Sequence, residues 1–452
     1  MNREARIFSA LPWWREALVY LAVLLAATVV FFLLHHVANQ VPYDVAKTRV
    51  RQAFQNGDLN VAYRPYEHVR IRSTGALIGL DQFMECQVLL GVMAGADRSD
   101  SAETALSRAL NPSYLRSSKH PNHFCQGLKA IAVDNDSFQR RNLKTRYWWG
   151  YSALYAILLK KFGVFEIRQF IQSIAYLSYL TLAVVLARLS GSVLLIMSPL
   201  IVFGVGLSAI PHFSTVTLGV AYAWAIASIA IVAWFQGRGA SSQSVRIAAF
   251  CSGTVSAFVW FFDGHTMLAI SLLAAAIYFL KRTTEGPLSS FRHALACTGS
   301  FVAGFVGSFA FGQIVKALYF GWDRVSASIS SQAVRHVGNM GMENGQGLSV
   351  LPYFYEVTLL GGKLGLAFSI LSMALGVVGV FALLYLAKRR RRAVQLIDAL
   401  VPLILILVCY LYFLMGNDNV FVFARFAFLP HAFAWSLLLL AIVNLRSAER
   451  NT

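Results

Sequence analysis

Residues 18 to 34 read LVYLAVLLAATVVFFLL, an apolar run without a charged side chain that follows a basic segment with Arg3, Arg6 and Arg15. A transmembrane helix needs about 20 mainly apolar residues, and about 17 are enough for the shortest spans. No convincing small-residue cleavage site follows the run, which favours an uncleaved first transmembrane helix over a signal peptide. The flanking arginines place its N-terminus in the cytoplasm.

The composition of the whole chain agrees with this first run. Of 452 residues 57% are hydrophobic and 13% charged, and the mean hydropathy is +0.58. The core of a soluble domain could not shelter so much apolar surface, so the lipid bilayer is the expected solvent. The net charge of +18 is typical of Lys and Arg collected at cytoplasmic ends of spans and near anionic headgroups. No basic helix or aromatic platform stands outside the apolar runs, which excludes nucleic acid as a partner.

Further apolar runs follow almost continuously from about residue 166. Together with the first helix they predict an all-α polytopic membrane protein with about ten transmembrane helices. The later spans are predicted at 166–187, 191–209, 215–236, 246–261, 264–280, 293–318, 364–387, 396–415 and 425–444.

The basic run from Lys388 to Arg392 fixes the orientation, because such a cluster beside a span stays in the cytoplasm. Counting outward from it places both termini in the cytoplasm and a large first loop on the exterior, or periplasmic, face of a bacterial inner membrane. The predicted parts are an N-terminus with the first helix at 1–38, an exterior loop at 39–165, a helical bundle at 166–318, a second exterior loop at 319–363 and C-terminal helices with a tail at 364–452.

The stretch YWWGYSALYAILLKK at 147–161 is apolar enough to resemble another span. Counting it as one would move the basic run at Lys388 outside. We therefore expect a short amphipathic helix at the outer membrane-water interface, with Trp148 and Trp149 at headgroup level.

The five cysteines fall into two groups. Three lie in predicted spans, where a thiol behaves as a small apolar side chain. Cys86 and Cys125 both lie in the first exterior loop, which faces an oxidising compartment, and they predict a disulfide. The alternative is a pair of free buried thiols.

Residues 79 to 86, GLDQFMEC, place two carboxylates in this loop. If 81–94 is helical, Asp81 and Glu85 lie one turn apart on the same face. Two such carboxylates repel, which raises the pKa of one of them unless a cation is near, and a general base is drawn from pairs of this kind. The alternative is a solvated helix start, with Asp81 as the N-cap and Glu85 in water.

Asp44 is a second acidic candidate, just beyond the first span in VPYDVAKTRVRQAFQNGDL. Val45, Val50 and Phe54 give this stretch an apolar stripe at helical spacing, so it can lie flat on the membrane. Asp44 would then stand at the depth of a lipid-linked phosphate. Its alternative role is that of a helix cap.

Basic and polar candidates for substrate binding lie near the exterior ends of other segments. Arg425 interrupts the apolar run VFVFARFAF, where a charge is costly unless it faces a cavity or a partner. The guanidinium groups of Arg425 and Arg146 match phosphate oxygens. Asp263 and His265, on an exterior turn, are placed to line the same cavity, although a turn-capping Asp and a snorkelling Arg are the alternatives.

His120 and His123, in KHPNHFC, lack a third ligand at suitable spacing, so no metal site is predicted. A need for a divalent cation is left open. The sequence contains no Walker A, GxSxG or HExxH motif.

The order of these features carries a resemblance. An N-in first span, an acidic amphipathic helix ending in Asn56-Gly57-Asp58, and an aromatic helix followed by Phe162-Gly163, Arg168 and a span resemble the GT-C superfamily of integral-membrane glycosyltransferases. GLDQFME and the RYWxG run at 146–150 resemble a branch that includes pilin arabinosyltransferases of the cell envelope. Trp149-Gly150 stands where many members of the superfamily have Pro-Pro.

The resemblance implies transfer of a sugar from a polyprenyl-phosphate donor to an exported glycan, lipid or protein acceptor. Asp81 would be the catalytic base, oriented by Glu85 or Asp44, and the donor phosphate would be held by Arg425 with Arg146. Two alternatives are a polysaccharide polymerase or ligase, and a lipid-linked sugar flippase or other transporter. Most predicted spans lack mid-span charges, which favours exterior chemistry over transport.

Overall fold

The structure is a computed structural model, and it describes residues 13–61, 69–70, 77–78, 82–97, 105–110, 113–142, 150–190, 216–259, 287–327 and 329–330, with parts of 270–281 and 371–385. It is mostly helical. The helices are α1 Trp13–Ala38, α2 Tyr43–Gln55, α3 Gln82–Ala96, α4 Ala105–Leu110, α5 Phe124–Ala132, α6 Gly150–Leu159, α7 Val164–Ser190, α8 Val216–Gly237, α9 Ser242–Val259 and α10 Pro287–Phe320.

Two short two-stranded antiparallel sheets add to the predicted all-α fold. β1 Val69–Arg70 pairs with β2 Leu77–Ile78, and β3 Ser113–Ser117 pairs with β4 Phe138–Asn142. In the second sheet, whose strands are separated along the chain by a helix, Leu115 lies opposite Arg140. The alternating burial along β3 shows that one face of this sheet covers the helices of the loop region, residues 39–165.

Three described helices are long and apolar enough to cross a membrane: Trp14–Ala38, Gly219–Gly237 and Leu288–Phe320. They correspond to the predicted first span and to the predicted spans at 215–236 and 293–318. Helices α7 and α9 also overlap predicted spans. The predicted spans at 191–209, 396–415 and 425–444 lie outside the described residues, and those at 264–280 and 364–387 are described in part.

The apolar helices present large side chains on the outside of the protein. On α1 the exposed fractions of Leu18, Val29 and Leu33 are 56%, 56% and 59%, and on α10 that of Leu318 is 84%. Apolar surface of this extent is unfavourable in water, whereas lipid tails solvate it. These faces therefore indicate contact with a bilayer.

The apolar stripe of α2 is present, but it faces other helices of the protein and not, as expected, the membrane. Ala46, Val50 and Ala53 are buried beneath α3, α5 and α7. The stripe forms part of the core of the loop region because three neighbouring helices cover it.

The predicted interfacial helix is present as α6, and it too is more enclosed than expected. From Ser152 to Leu159 every side chain is buried or half-buried. Ala153 and Ala156 are small enough to let α1 approach closely. Helix α6 therefore packs between α1 and α3 rather than on a surface.

Glycines set the contact between α9 and α10. A Cβ built on Gly253 would clash with the carbonyl oxygen of Phe301, and one on Gly304 would clash with that of Phe250. Small residues allow two backbones to approach in this way, which is how many membrane helices associate. The reciprocal placement fixes the register of the two helices.

Candidate functional site

A buried ion pair joins the loop region to the start of α7. The Nε of Arg168 lies 3.1 Å from both carboxylate oxygens of Glu85, and Nη2 also donates to Oε2. The Tyr155 hydroxyl donates to Glu85 Oε1 at 3.2 Å. We call Glu85, Tyr155 and Arg168 the Glu85 cluster.

The Glu85 cluster is inaccessible to solvent. Glu85 is 1% exposed, Tyr155 0% and Arg168 6%. Burial raises the pKa of the Tyr155 hydroxyl well above its usual range, and the charge of Glu85 raises it further. The hydroxyl therefore stays protonated and serves as a donor to the carboxylate.

Glu85 thus differs from both expectations raised by the sequence. It does not point to water, and its negative charge is balanced by Arg168. A carboxylate held by a guanidinium and a hydroxyl, with no exposed surface, acts by positioning its neighbours. Asp81, its predicted partner, lies outside the described residues, and α3 begins at Gln82 directly after it.

The predicted disulfide between Cys86 and Cys125 is confirmed. The two Cα atoms are 5.1 Å apart and the bridge spans 39 residues of sequence. It ties α3 to α5 at the residue next to Glu85. It also brings the Glu85 segment towards His123, which is the N-cap residue of α5. In the described part of the chain no group of three or more His, Cys, Asp or Glu side chains converges as metal ligands do.

The exposed carboxylate of Asp44 contrasts with Glu85. Asp44 lies in the first turn of α2, whose N-cap is Pro42, so it is not the capping residue. A negative charge at this position is favoured by the helix dipole. The side chain is exposed, and it stands six residues beyond the C-terminal end of α1 at Ala38. Of the two described acidic candidates, Asp44 is the exposed one and Glu85 the buried one.

Sequence reasoning missed the role of Arg168 and Tyr155. The motif that resembles the GT-C superfamily contains Arg168 but indicates no partner for it. A physical signal was nevertheless present, because an Arg near the start of a predicted span is costly unless it finds a partner, a cavity or water. That partner is Glu85, 83 residues earlier in the chain.

A small cavity with both polar and apolar walls lies at the C-terminal end of α1. Its volume is about 30 Å³, and the residues around it include Asn39, Gly95, Arg108 and Ser152. The Nδ2 of Asn39 and the Nε of Arg108 are buried donors for which the described structure offers no acceptor. This space suits ordered water, which needs about 10 to 15 Å³ and two or more polar partners.

The other predicted site residues lie outside the described part of the chain: Arg146, Trp148, Trp149, Asp263, His265 and Arg425.

Comparison of the chain with models of protein families, with characterised proteins and with solved structures gives no match.

Proposed function

We propose that the chain is a membrane glycosyltransferase that transfers a sugar from a polyprenyl-phosphate donor to an acceptor on the periplasmic face. The observation that supports this most is a disulfide-bonded polar region anchored to apolar helices, with the carboxylate of Asp44 exposed just beyond α1. A disulfide is typical of an oxidising compartment, so it supports placing this region outside the cytoplasm.

The proposed reaction needs one base. Asp81, or Asp44 in its place, takes the proton from an acceptor hydroxyl as the oxygen attacks the anomeric carbon of the donor sugar. The bond between that carbon and the phosphate oxygen breaks, and the polyprenyl phosphate leaves as a stable anion. Arg425 and Arg146 stabilise the phosphate charge, and no general acid is required. Glu85, whose charge is paired with Arg168, has the role of orienting the base and not of taking the proton itself.

The test uses protein in lipid vesicles, radiolabelled sugars on polyprenyl phosphate, and acceptors in an envelope extract from a strain that lacks the protein. Asp81→Asn and Asp44→Asn each remove one candidate base. The control is Asp134→Asn, since Asp134 is an exposed carboxylate of the same region. We expect one of the two candidate variants to lose about a hundredfold or more in transfer, as for loss of a general base. Full transfer by both would refute the assignment of the base.

One observation favours a second function, transport of a lipid-linked sugar. Lys316 in α10 is 0% exposed, and a buried charge in an apolar helix is a functional candidate by default. It stands four residues before the end of α10 at Phe320 rather than in mid-helix. If Lys316→Met abolishes movement of a fluorescent lipid-linked sugar across vesicles while Asp81→Asn and Asp44→Asn leave it unchanged, transport is the better description.

A further inference from the structure

A polar cleft lies between the C-terminal turn of α2 and the start of α7. Its volume is about 180 Å³. This is below the range of about 300 to 1,000 Å³ typical of sites for drug-sized ligands, so it suits a small molecule or a single ring. The side chains of its lining on which the argument depends are Arg49, Gln52, Asn56, Asp58, Phe165 and Glu166. We call it the α2–α7 cleft.

The cleft combines donors and acceptors within one small space. The amides of Gln52 and Asn56 each donate and accept, the carboxylates of Asp58 and Glu166 accept, and the guanidinium of Arg49 donates. Gln52, Asn56 and Glu166 are exposed. A sugar hydroxyl is both a donor and an acceptor, so a mixed set of this kind matches several hydroxyls of one ring.

An aromatic side chain borders the polar groups. Phe165 lines the cleft and is 52% exposed. The face of an aromatic ring carries a partial negative charge, which attracts the polarised C–H groups of a sugar ring. The charges add selectivity, because two carboxylates and one guanidinium leave the cleft with a net negative charge that disfavours anionic ligands.

The walls of the cleft are held in place before any ligand binds. Arg168 of the Glu85 cluster donates from Nη1 to the carbonyl oxygen of Asp58 at 2.8 Å. Arg49 donates to the carbonyl of Lys161 at 3.3 Å, which links α2 to the turn before α7. Gly57 has φ +80°, a conformation that favours glycine in the turn that presents Asp58. Prior ordering of this kind lowers the entropy lost on binding.

We infer that the α2–α7 cleft binds one neutral sugar ring, as the acceptor subsite of the exterior face. The term acceptor rests on the proposed function, whereas binding of a sugar rests on the cleft alone. The Glu85 cluster then also stabilises this binding site, because its Arg168 holds the backbone of Asp58 in the wall of the cleft.

The test is direct binding of methyl glycosides of glucose, galactose, mannose and arabinose, measured by saturation-transfer NMR on protein in lipid nanodiscs. Alkyl-maltoside detergents are avoided because they are sugars themselves. The double variant Gln52→Ala/Asn56→Ala removes two amides from the cleft. Gln55→Ala is the matched control, because Gln55 is exposed on the same helix and does not line the cleft.

We expect at least one glycoside to bind, the double variant to bind it about tenfold more weakly, and the control to match the unaltered protein. Binding of no glycoside, or equal binding by the double variant, would overturn the inference, as would stronger binding of methyl glucuronide than of methyl glucoside. Because no donor is present, this result is independent of the transfer assay. Sugar binding without transfer would support the cleft as a sugar site and contradict the proposed enzyme. Transfer without sugar binding would support the enzyme and contradict the sugar site.

Discussion

Two of the described ion pairs have the same chemistry, each linking two separate helices, and they differ in burial. Glu85 binds Arg168 beside Tyr155, and Glu16 of α1 binds Arg246 of α9 beside Tyr20. The side chains of Arg168 and Glu85 are 8% and 0% exposed, whereas those of Arg246 and Glu16 are 30% and 15% exposed.

The comparison shows that burial decides how much an ion pair contributes to the free energy of unfolding. Removing one partner of a buried pair leaves an uncompensated charge, which costs about 3 to 5 kcal/mol, although replacing both with apolar residues is often neutral. Pairs on the surface contribute about 0 to 1 kcal/mol, because water and salt screen them, and the partly exposed pair of Arg246 with Glu16 is closer to that case than the buried pair is. The first pair therefore fixes the loop region on α7, and the second contributes a modest link between α1 and α9.

The largest expected effect is that of Arg168→Met, which leaves Glu85 buried and unpaired. We expect the free energy of unfolding to fall by about 3 to 5 kcal/mol. The double variant Glu85→Leu/Arg168→Met should be more stable than Arg168→Met alone, since no charge remains. Both are measured by denaturation in detergent, followed by Trp fluorescence.

Arg168→Lys is the control for this effect, since it keeps the charge but loses the bidentate geometry. A stability of Arg168→Met equal to that of the unaltered protein would show that the Glu85 cluster does not support the fold.

The second effect concerns the disulfide next to Glu85. Cys86→Ala/Cys125→Ala should lose about 3 to 4 kcal/mol, because a closed loop of this length restricts the unfolded chain. Cys251→Ala in α9 is the control, as its thiol is free. Equal denaturation midpoints for the paired and the control variants, with the disulfide intact in the unaltered protein, would contradict the estimate.

The third effect tests the contact of α10 with α9, the helix that carries Arg246. Gly304→Ala pushes a Cβ into the backbone of Phe250 and should cost about 1 to 3 kcal/mol. Gly299→Ala, in the same helix, meets nothing within 4 Å of its Cβ and should stabilise by about 0.5 to 1 kcal/mol through helix propensity. Thermal unfolding of both variants measures the difference, and effects of the same sign would disprove the close contact.

The smallest effect is that of Arg246→Met in the more exposed pair. We expect a loss of about 1 kcal/mol or less, and it should shrink in high salt because the pair is partly screened. The same measurement on Arg168→Met should change little with salt. A loss in Arg246→Met as large as that in Arg168→Met would show that burial does not separate the two pairs.

The features that could be predicted from the sequence depend on the residues of one segment or one loop. The first helix follows from one apolar run, and the disulfide between Cys86 and Cys125 follows from two cysteines in one loop. The apolar stripe of α2 was also evident, but its partners were not, because a stripe at helical spacing is the same whether lipid or protein covers it.

The partner of Glu85 could not be predicted from spacing. The pattern of α3 shows a carboxylate one turn from Asp81, whereas Arg168 lies 83 residues away and is brought close only by folding. The α2–α7 cleft was missed for the same reason, since its two walls come from separate parts of the chain.

The most direct test of the proposed function is analysis of the envelope glycans in a strain that lacks the protein. The strain is complemented with the unaltered chain, Asp81→Asn, Asp44→Asn or Asp134→Asn, each confirmed to be present in the membrane, and released glycans are weighed by mass spectrometry. We predict that the unaltered chain and Asp134→Asn restore one missing sugar residue and that Asp81→Asn or Asp44→Asn does not. Glycans identical in the deletion strain and its parent would contradict the assignment as a glycosyltransferase.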